Sequence, residues 1–182
     1  HGVLTSFKKF KKDAKFFSKY NNKQFIVCQT GSLIKSVFQV GQFDIDTVKI
    51  MKKIAKDNGI LLKEHNCDYL NLEQIDLRKN YGISAINIAP ELGVIQTNLT
   101  YNLAKKFNLD KEIEIFKKLV LRKNKWKKWN YNNENNLIKF FSAGHYHFTE
   151  TIYKLILKKI SSRTNFQNKL NQTIEKNLIR FF

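Results

Sequence analysis

Three short apolar runs punctuate the first half of the chain, and each stops in polar residues. QFIVCQTG (24–31) closes at Gly31. ILLKEHN (60–66) passes from Leu62 directly into Lys63, Glu64, His65 and Asn66. GISAINIAPE (82–91) ends in Asn87, Pro90 and Glu91. Short apolar runs bounded by turn formers predict buried strands. Between them the apolar spacing changes to that of helices. FDIDTVKIMKKIAKDNG sets Val48, Met51, Ile54 and Ala55 on one face, with Asp44 or Asp46 as N-cap and Gly59 as stop. NLEQIDLRKN (71–80) predicts a short helix with Arg78 and Lys79 in its last turn, and GVIQTNLTYNLAKKFN (93–108) predicts another. Residues 32–43 read as a loop. The alternation of strand and helix with short links predicts a parallel α/β arrangement.

In parallel sheets and barrels the carboxyl ends of strands face the ligand. The polar groups that end all three runs therefore mark one candidate functional face, not three unrelated solvated turns. Upstream, FKKFKKDAKFFSKY places Phe7, Phe10, Ala14 and Phe17 at helical spacing. That pattern suits a helix packing its Phe face on a core, and less well a helix lying on a membrane surface. Downstream, residues 109–182 read as mostly helical. Asp110 can cap a helix with Ile113, Phe116, Leu119 and Val120 inward, Asn130–Asn136 is an Asn-rich loop, Thr149 can cap TETIYKLILKKI, and a last helix spans 165–180. Residues 1–182 are expected to form a single domain, with strand–helix units over 24–108 and helices over 109–182.

Composition narrows the class. An apolar share of 42% argues for a folded chain. No apolar run approaches the roughly 20 residues a membrane helix needs. Cys28 and Cys67 lack CxxC spacing, so they predict buried reduced thiols and a reducing cytoplasm, with no zinc signature. The net charge of +18 invites a nucleic-acid partner. The lysines are scattered, however, and heavy use of Lys, Asn, Ile and Phe beside a single Pro fits a coding bias, so attraction of a phosphorylated substrate is the better use of that charge. Trp126 and Trp129 in WKKW can stack bases, but at helical i,i+3 spacing they predict a packing stripe. The chain begins with His, which suits a processed, trimmed or partial reading frame.

QTG (29–31), KEHNCDY (63–69), AINIAPELG (85–93), WKKW (126–129) and FFSAGHYHF (140–148) occur in an order and spacing that resembles the Z subunits of class II D-tagatose-1,6-bisphosphate aldolase, in their C-terminal half. The likeness covers roughly residues 24–160. Thr30 stands where that family usually has Pro, and Ala89 where some members have Gly. The resemblance implies the C-terminal part of a (β/α)8 TIM barrel: about three parallel strands plus helices, an incomplete barrel with a helical C-terminal segment. It also implies a lyase component of sugar-phosphate metabolism, either catalytic or accessory. Its partners would be a phosphorylated sugar and a catalytic aldolase subunit, or further copies of the chain. A divalent metal, zinc by the resemblance, would have its ligands outside this chain, and which residues they are is unknown.

Class II aldol chemistry needs a Lewis acid, a proton shuttle and an anion cradle. Glu64, His65 and Asp68 are the candidate catalytic residues. Gln29, Gly31, Lys63, Asn66, Asn87, Glu91, Ser142 and His145 are the candidate substrate-binding residues. Strand alternation sets Lys63 and His65 opposite Glu64 and Asn66, and the favoured expectation turns Glu64 and Asn66 inward with His65 near the rim. Asn87 is either a substrate ligand or a strand-end amide. Glu91 is either a functional carboxylate or a first-turn acid favourable to its helix dipole. His145 and His147, if in a strand, would share one face as two metal ligands, although sugar-phosphate contact is preferred. Ser142-Ala143-Gly144 can shape an anion-holding turn. His1-Gly2 resembles a His-Gly metal-ligand motif of class II aldolases. The rival readings are a stand-alone metal-dependent sugar-phosphate lyase or isomerase and, less well supported, a basic nucleic-acid-binding module.

Overall fold

The computed structural model describes residues 4–20, 22 and 24–182. These fall into two compact units, one comprising residues 1–34 and 38–89, the other residues 35–37 and 90–182. The division lies at Pro90, earlier than the change of pattern at 108/109 expected from the sequence, because the helix that follows the third strand packs with the helices after it.

The first unit holds the three expected strands: β1 (Phe25–Cys28), β4 (Leu61–Glu64) and β5 (Ile83–Ile86), parallel and ordered β1-β4-β5. Phe25 pairs with Leu61 and Cys28 with Glu64. A register irregularity after Leu62 brings Glu64 opposite Ile86. Helices α1 (Phe7–Phe17) and α2 (Ile45–Asp57) belong to this unit, with α3 (Leu72–Asn80) between β4 and β5. The core gathers Phe10 and Ala14 of α1, Val48, Met51 and Ala55 of α2, and Ile26, Cys28, Leu62 and Ile83 of the strands. Right-handed crossovers place the connecting helices on one side of such a sheet. The other side carries Phe25 and Val27, which are 48% and 50% exposed. β1 is therefore buried on one face only, not on both as its unbroken apolar run suggested.

Local signals account for the helix ends. Asp44 caps α2, accepting the Thr47 N–H at 2.8 Å, and Gly59 follows the helix at φ +65°. Asn71 and Gln74 form a reciprocal capping box on α3. The segment read as a loop contains a small hairpin, β2 (Ile34–Lys35) with β3 (Phe38–Gln39). Strands of two residues are too short to show any period in sequence.

The second unit is helical: α4 (Pro90–Lys106), α5 (Asp110–Arg122), α6 (Asn136–Ala143), α7 (Thr151–Ser161) and α8 (Phe166–Leu178), with short 3-10 turns at 125–128, 144–147 and 179–181. Its core is rich in large side chains, including Phe116, Trp126, Phe140, Tyr153 and Ile156. Ile113, Phe116 and Val120 point inward as expected, while Leu119 is only partly buried. Several caps differ from expectation. Pro90 opens α4 instead of closing a strand, as suits a residue with no N–H to lose at a helix start. Asp110 makes no cap bond and instead pairs with Lys105. Glu150, not Thr149, precedes α7. WKKW forms a 3-10 turn in which Trp126 is buried and Trp129 donates its indole N–H to the Tyr146 hydroxyl at 2.9 Å. Among the described residues, no helix is long and apolar enough to cross a membrane.

Candidate functional site

The carboxyl ends of β1, β4 and β5 converge because the strands are adjacent and parallel. Gln29 follows β1, His65 follows β4 and Asn87 lies just past β5. The ladder continues beyond the strands: the His65 N–H donates to the Cys28 carbonyl at 3.1 Å and the Asn87 N–H to the Glu64 carbonyl at 2.9 Å. Lys63 and His65 share the side of β4 that helices do not cover, in line with Val27 across the ladder. The side chains of His65 (Nδ1) and Asn87 (Nδ2) approach to 3.3 Å. With the Asn87 amide donating, His65 keeps its Nδ1 as acceptor and its proton on Nε2. Gln29 Oε1 is buried with no partner among the described residues, at the end of the neighbouring strand.

The favoured orientation of Glu64 is reversed. Glu64 shares its face with Leu62, on the helix-covered side, and is 0% exposed. Arg78 of α3 donates to it twice, Nε to Oε2 at 2.6 Å and Nη2 to Oε1 at 3.1 Å. The hydroxyls of Thr30 and Ser32 also donate to Oε1. Four donors occupy the carboxylate, and the guanidinium in turn stacks over the Phe43 ring at 4.5 Å. A buried carboxylate needs such company. In this geometry Glu64 anchors the loop after β1 to α3 and is closed to solvent. Arg78, a last-turn cation of α3 by its position, is also this buried counter-charge. The missed signal is a Glu inside an apolar run, which demands a buried counter-charge from a neighbouring element.

The remaining residues of the first unit hold the strand-end loops. Asp68 is buried, and its Oδ1 accepts the Ala89 N–H at 3.0 Å, tying the loop after β4 to the loop after β5. Asn66 and Tyr69 both have positive φ, 61° and 60°. Asn tolerates this region and Tyr does so rarely, so the loop is strained and must be held by its surroundings. Gln39 of β3 does part of the holding. Its Nε2 donates to the carbonyls of Asn66 (2.8 Å) and Asp68 (3.2 Å), and its Oε1 accepts the Leu33 N–H at 2.7 Å. Nothing in the sequence singled out Gln39, because its role exists only once the hairpin is folded. Gly31 has φ +101°, and a Cβ there would lie 1.9 Å from the Gln42 carbonyl oxygen. Its requirement for glycine is therefore the close passage of two backbone segments. Cys28 and Cys67 are free and buried, and burial pushes the Cys28 thiol up to about 12 and Cys67 higher still, so neither is a ready nucleophile.

Glu91, Ser142 and His145 belong to the second unit. Glu91, in the first turn of α4, is buried and pairs with Arg180. Ser142 lies inside α6, where its hydroxyl bonds Asn130 Oδ1 and the Lys139 carbonyl, so 142–144 is not an anion-holding turn. His145 and His147 lie in a 3-10 turn, not a strand. The His145 ring packs so tightly on α4 that a Cβ at Gly93 would meet it at 2.6 Å, and burial brings its pKa down to about 4. His147 Nδ1 is 3.6 Å from Glu150, and burial lowers its pKa as well. Among the described residues no group of three or more His, Cys, Asp or Glu is placed to hold a metal ion. His1 and Gly2 lie outside the described residues.

No family model matches the chain, and no curated protein matches it. Its fold is similar to that in the crystal structure of a probable tagatose 6 phosphate kinase from Sinorhizobium meliloti 1021, with a TM-score of 0.61 at 14% identity. The similarity covers 76% of this chain and 39% of that one, so this chain spans well under half the length of that protein. At this identity the likeness is one of fold alone: mixed α/β, with a small parallel sheet and helices.

Proposed function

We propose that this chain is the carboxyl-terminal part of a (β/α) barrel of the tagatose-bisphosphate aldolase Z-subunit type, and that it binds a phosphorylated sugar. The observation that carries the reading is the convergence of Gln29, His65 and Asn87 at the carboxyl ends of three adjacent parallel strands. Lys63 supplies positive charge on the same side of β4. The half-exposed Phe25 and Val27 on that side suit the interior of a barrel whose other strands lie elsewhere. The structural neighbour, described as a probable kinase of a tagatose phosphate, concerns a related substrate and a different reaction.

On this reading the residues of the chain divide their work. Lys63 attracts the phosphate as a point charge. His65 donates its Nε2–H to a sugar hydroxyl or phosphate oxygen, and Asn87, on the other ring nitrogen, orients the imidazole. Gln29 offers an unpaired amide oxygen to a hydroxyl. Asp68 and Gln39 keep the strained loop in place. A divalent metal would supply the Lewis acid of class II aldol chemistry. The described donor set does not fit one by itself. The rival in which Glu64 is the catalytic base loses ground, since that carboxylate is enclosed by four donors.

Calorimetric titration of the full chain with tagatose 1,6-bisphosphate tests the proposal. Lys63→Met and His65→Ala are each expected to weaken binding by about tenfold, the loss of one charge-assisted contact. Absence of binding, or unchanged affinity in both variants, removes the reading.

A further inference from the structure

Helix α1 uses little of its surface for packing. Phe10 and Ala14 are fully buried against the first unit's core, but Phe7, Phe16, Phe17 and the following Tyr20 are exposed. At about 100° per residue, Phe16 projects roughly 120–160° away from the Phe10/Ala14 stripe. The sheet on which α1 packs therefore cannot cover it. Phe16 and Tyr20 are 53% and 56% exposed. Their rings, with Phe17, form one knot: Phe16 meets Phe17 at 5.3 Å and Tyr20 at 5.9 Å, both edge to face. Beside the knot runs a sector of exposed lysines, Lys8, Lys11, Lys12, Lys15 and Lys19, with Lys9 next to Phe16. Asp13 is the single acid among residues 7–20.

We infer that the α1 surface docks on an anionic lipid bilayer, with the Phe16–Phe17–Tyr20 knot entering the headgroup boundary and the lysine sector lying against acidic headgroups. The chemistry of the two sectors selects this occupant. Aromatic rings beside lysines on one amphipathic helix match an interface that is apolar below and negative above. A nucleic acid would want ring faces free for stacking, whereas these rings are packed edge to face on one another. A second copy of the chain would bring another lysine sector against the first. The inference uses only residues of α1 and the turn after it, and a preceding barrel unit that covers Phe16 and Tyr20 would overturn it.

Co-sedimentation of the full chain with large unilamellar vesicles decides the matter. Vesicles of phosphatidylcholine with about 30% phosphatidylserine should bind it and pure phosphatidylcholine should not, with binding falling as salt rises. Because a chain of net charge +18 can adsorb through any face, two variants locate the contact. Lys12→Gln with Lys19→Gln is expected to lower partition about 25-fold, at about fivefold for each lysine near the surface. Phe16→Ser with Tyr20→Ser should lower it at least as much while leaving the thermal melt unchanged, since both side chains are exposed. Binding that ignores lipid charge, or that survives both variants, overturns the proposal. So does a dimer that dissociates in the Phe16/Tyr20 variant, or an oligonucleotide complex lost only in the lysine variant.

Discussion

The two units of this chain bury different things. The helical unit closes on itself around large apolar side chains, Phe116, Phe140, Tyr153 and Trp126 among them. Thr97 and Thr100 of α4 donate to carbonyls of their own helix, those of Gly93 and Gln96, while the buried hydroxyls of Ser142 and Tyr153 bond across elements, to Asn130 and Gln96. The α/β unit has a smaller core on one side of its sheet, with Phe10 its one buried aromatic among the described residues. Much of its remaining burial is polar: Thr30, Ser32, Glu64, Asn66, Asp68 and Arg78, all joined to strand ends or the loops beyond them. A closed apolar core supplies stability, and a buried polar network supplies fixed geometry at some cost in stability. The helical unit also buries polar groups, Glu91, Asn130, Lys139 and His147 among them, but in the unit that carries the candidate site the buried polar groups gather around one carboxylate, Glu64, at the strand ends.

The chain contains its own probes for this contrast. Both tryptophans lie in the helical unit and both cysteines in the α/β unit. Phe116→Ala should remove about 3–5 kcal/mol, seen as an earlier denaturant transition in tryptophan fluorescence. Arg78→Met leaves Glu64 buried without its counter-charge and should also cost about 3–5 kcal/mol, seen as faster labelling of the thiols. If either variant moves both probes by the same amount, the contrast between the units fails.

Acid offers a second handle. His145 in the helical unit has its pKa brought down to about 4, against an ordinary 6.5. Above pH 6.5 both folded and unfolded forms are neutral there, and stability does not change. Between pH 6.5 and 4 the unfolded chain takes up a proton that the folded chain refuses, so stability falls as pH falls. Allowing for solvent screening, the loss should be of order 1 kcal/mol by pH 5 in the tryptophan transition. His147 adds in the same direction. The neighbouring charges are Lys123, Lys125, Lys128 and Glu150. His145→Gln should flatten this slope, and an unchanged slope would assign it to other groups.

The smallest expected effect separates real caps from apparent ones. Asn71→Ala breaks the capping box of α3 and should lower stability by about 1 kcal/mol in thiol-labelling measurements. Asp110→Ala removes no cap bond and should leave the tryptophan transition nearly in place.

The strands, their order along the chain and most helix faces were legible because period and punctuation are local. Ile26, Leu62, Ile83 and the Val48–Met51–Ala55 stripe behave as their spacing implies, and of the two caps it offered, Asp44 and Asp46, Asp44 is the one used. The meeting of the three polar strand ends was legible too, since parallel strands joined by short crossovers bring like ends together, but the residue of β4 expected there was Glu64, and His65 stands in its place. Which way each side chain faces was not. Alternation offers two choices for β4, and only the arrival of Arg78 from α3, with Thr30 and Ser32 from the loop after β1, determines that Glu64 lies under the helices and Lys63 and His65 on the open side. The α1 stripe shows the same limit, for its spacing placed Phe7 and Phe17 with Phe10, yet the available core covers only Phe10 and Ala14. Periodicity is a property of the backbone and can be read from one chain segment. Burial, counter-charge and strain are relations between segments distant in sequence, and they come into being only when tertiary contacts bring those segments together.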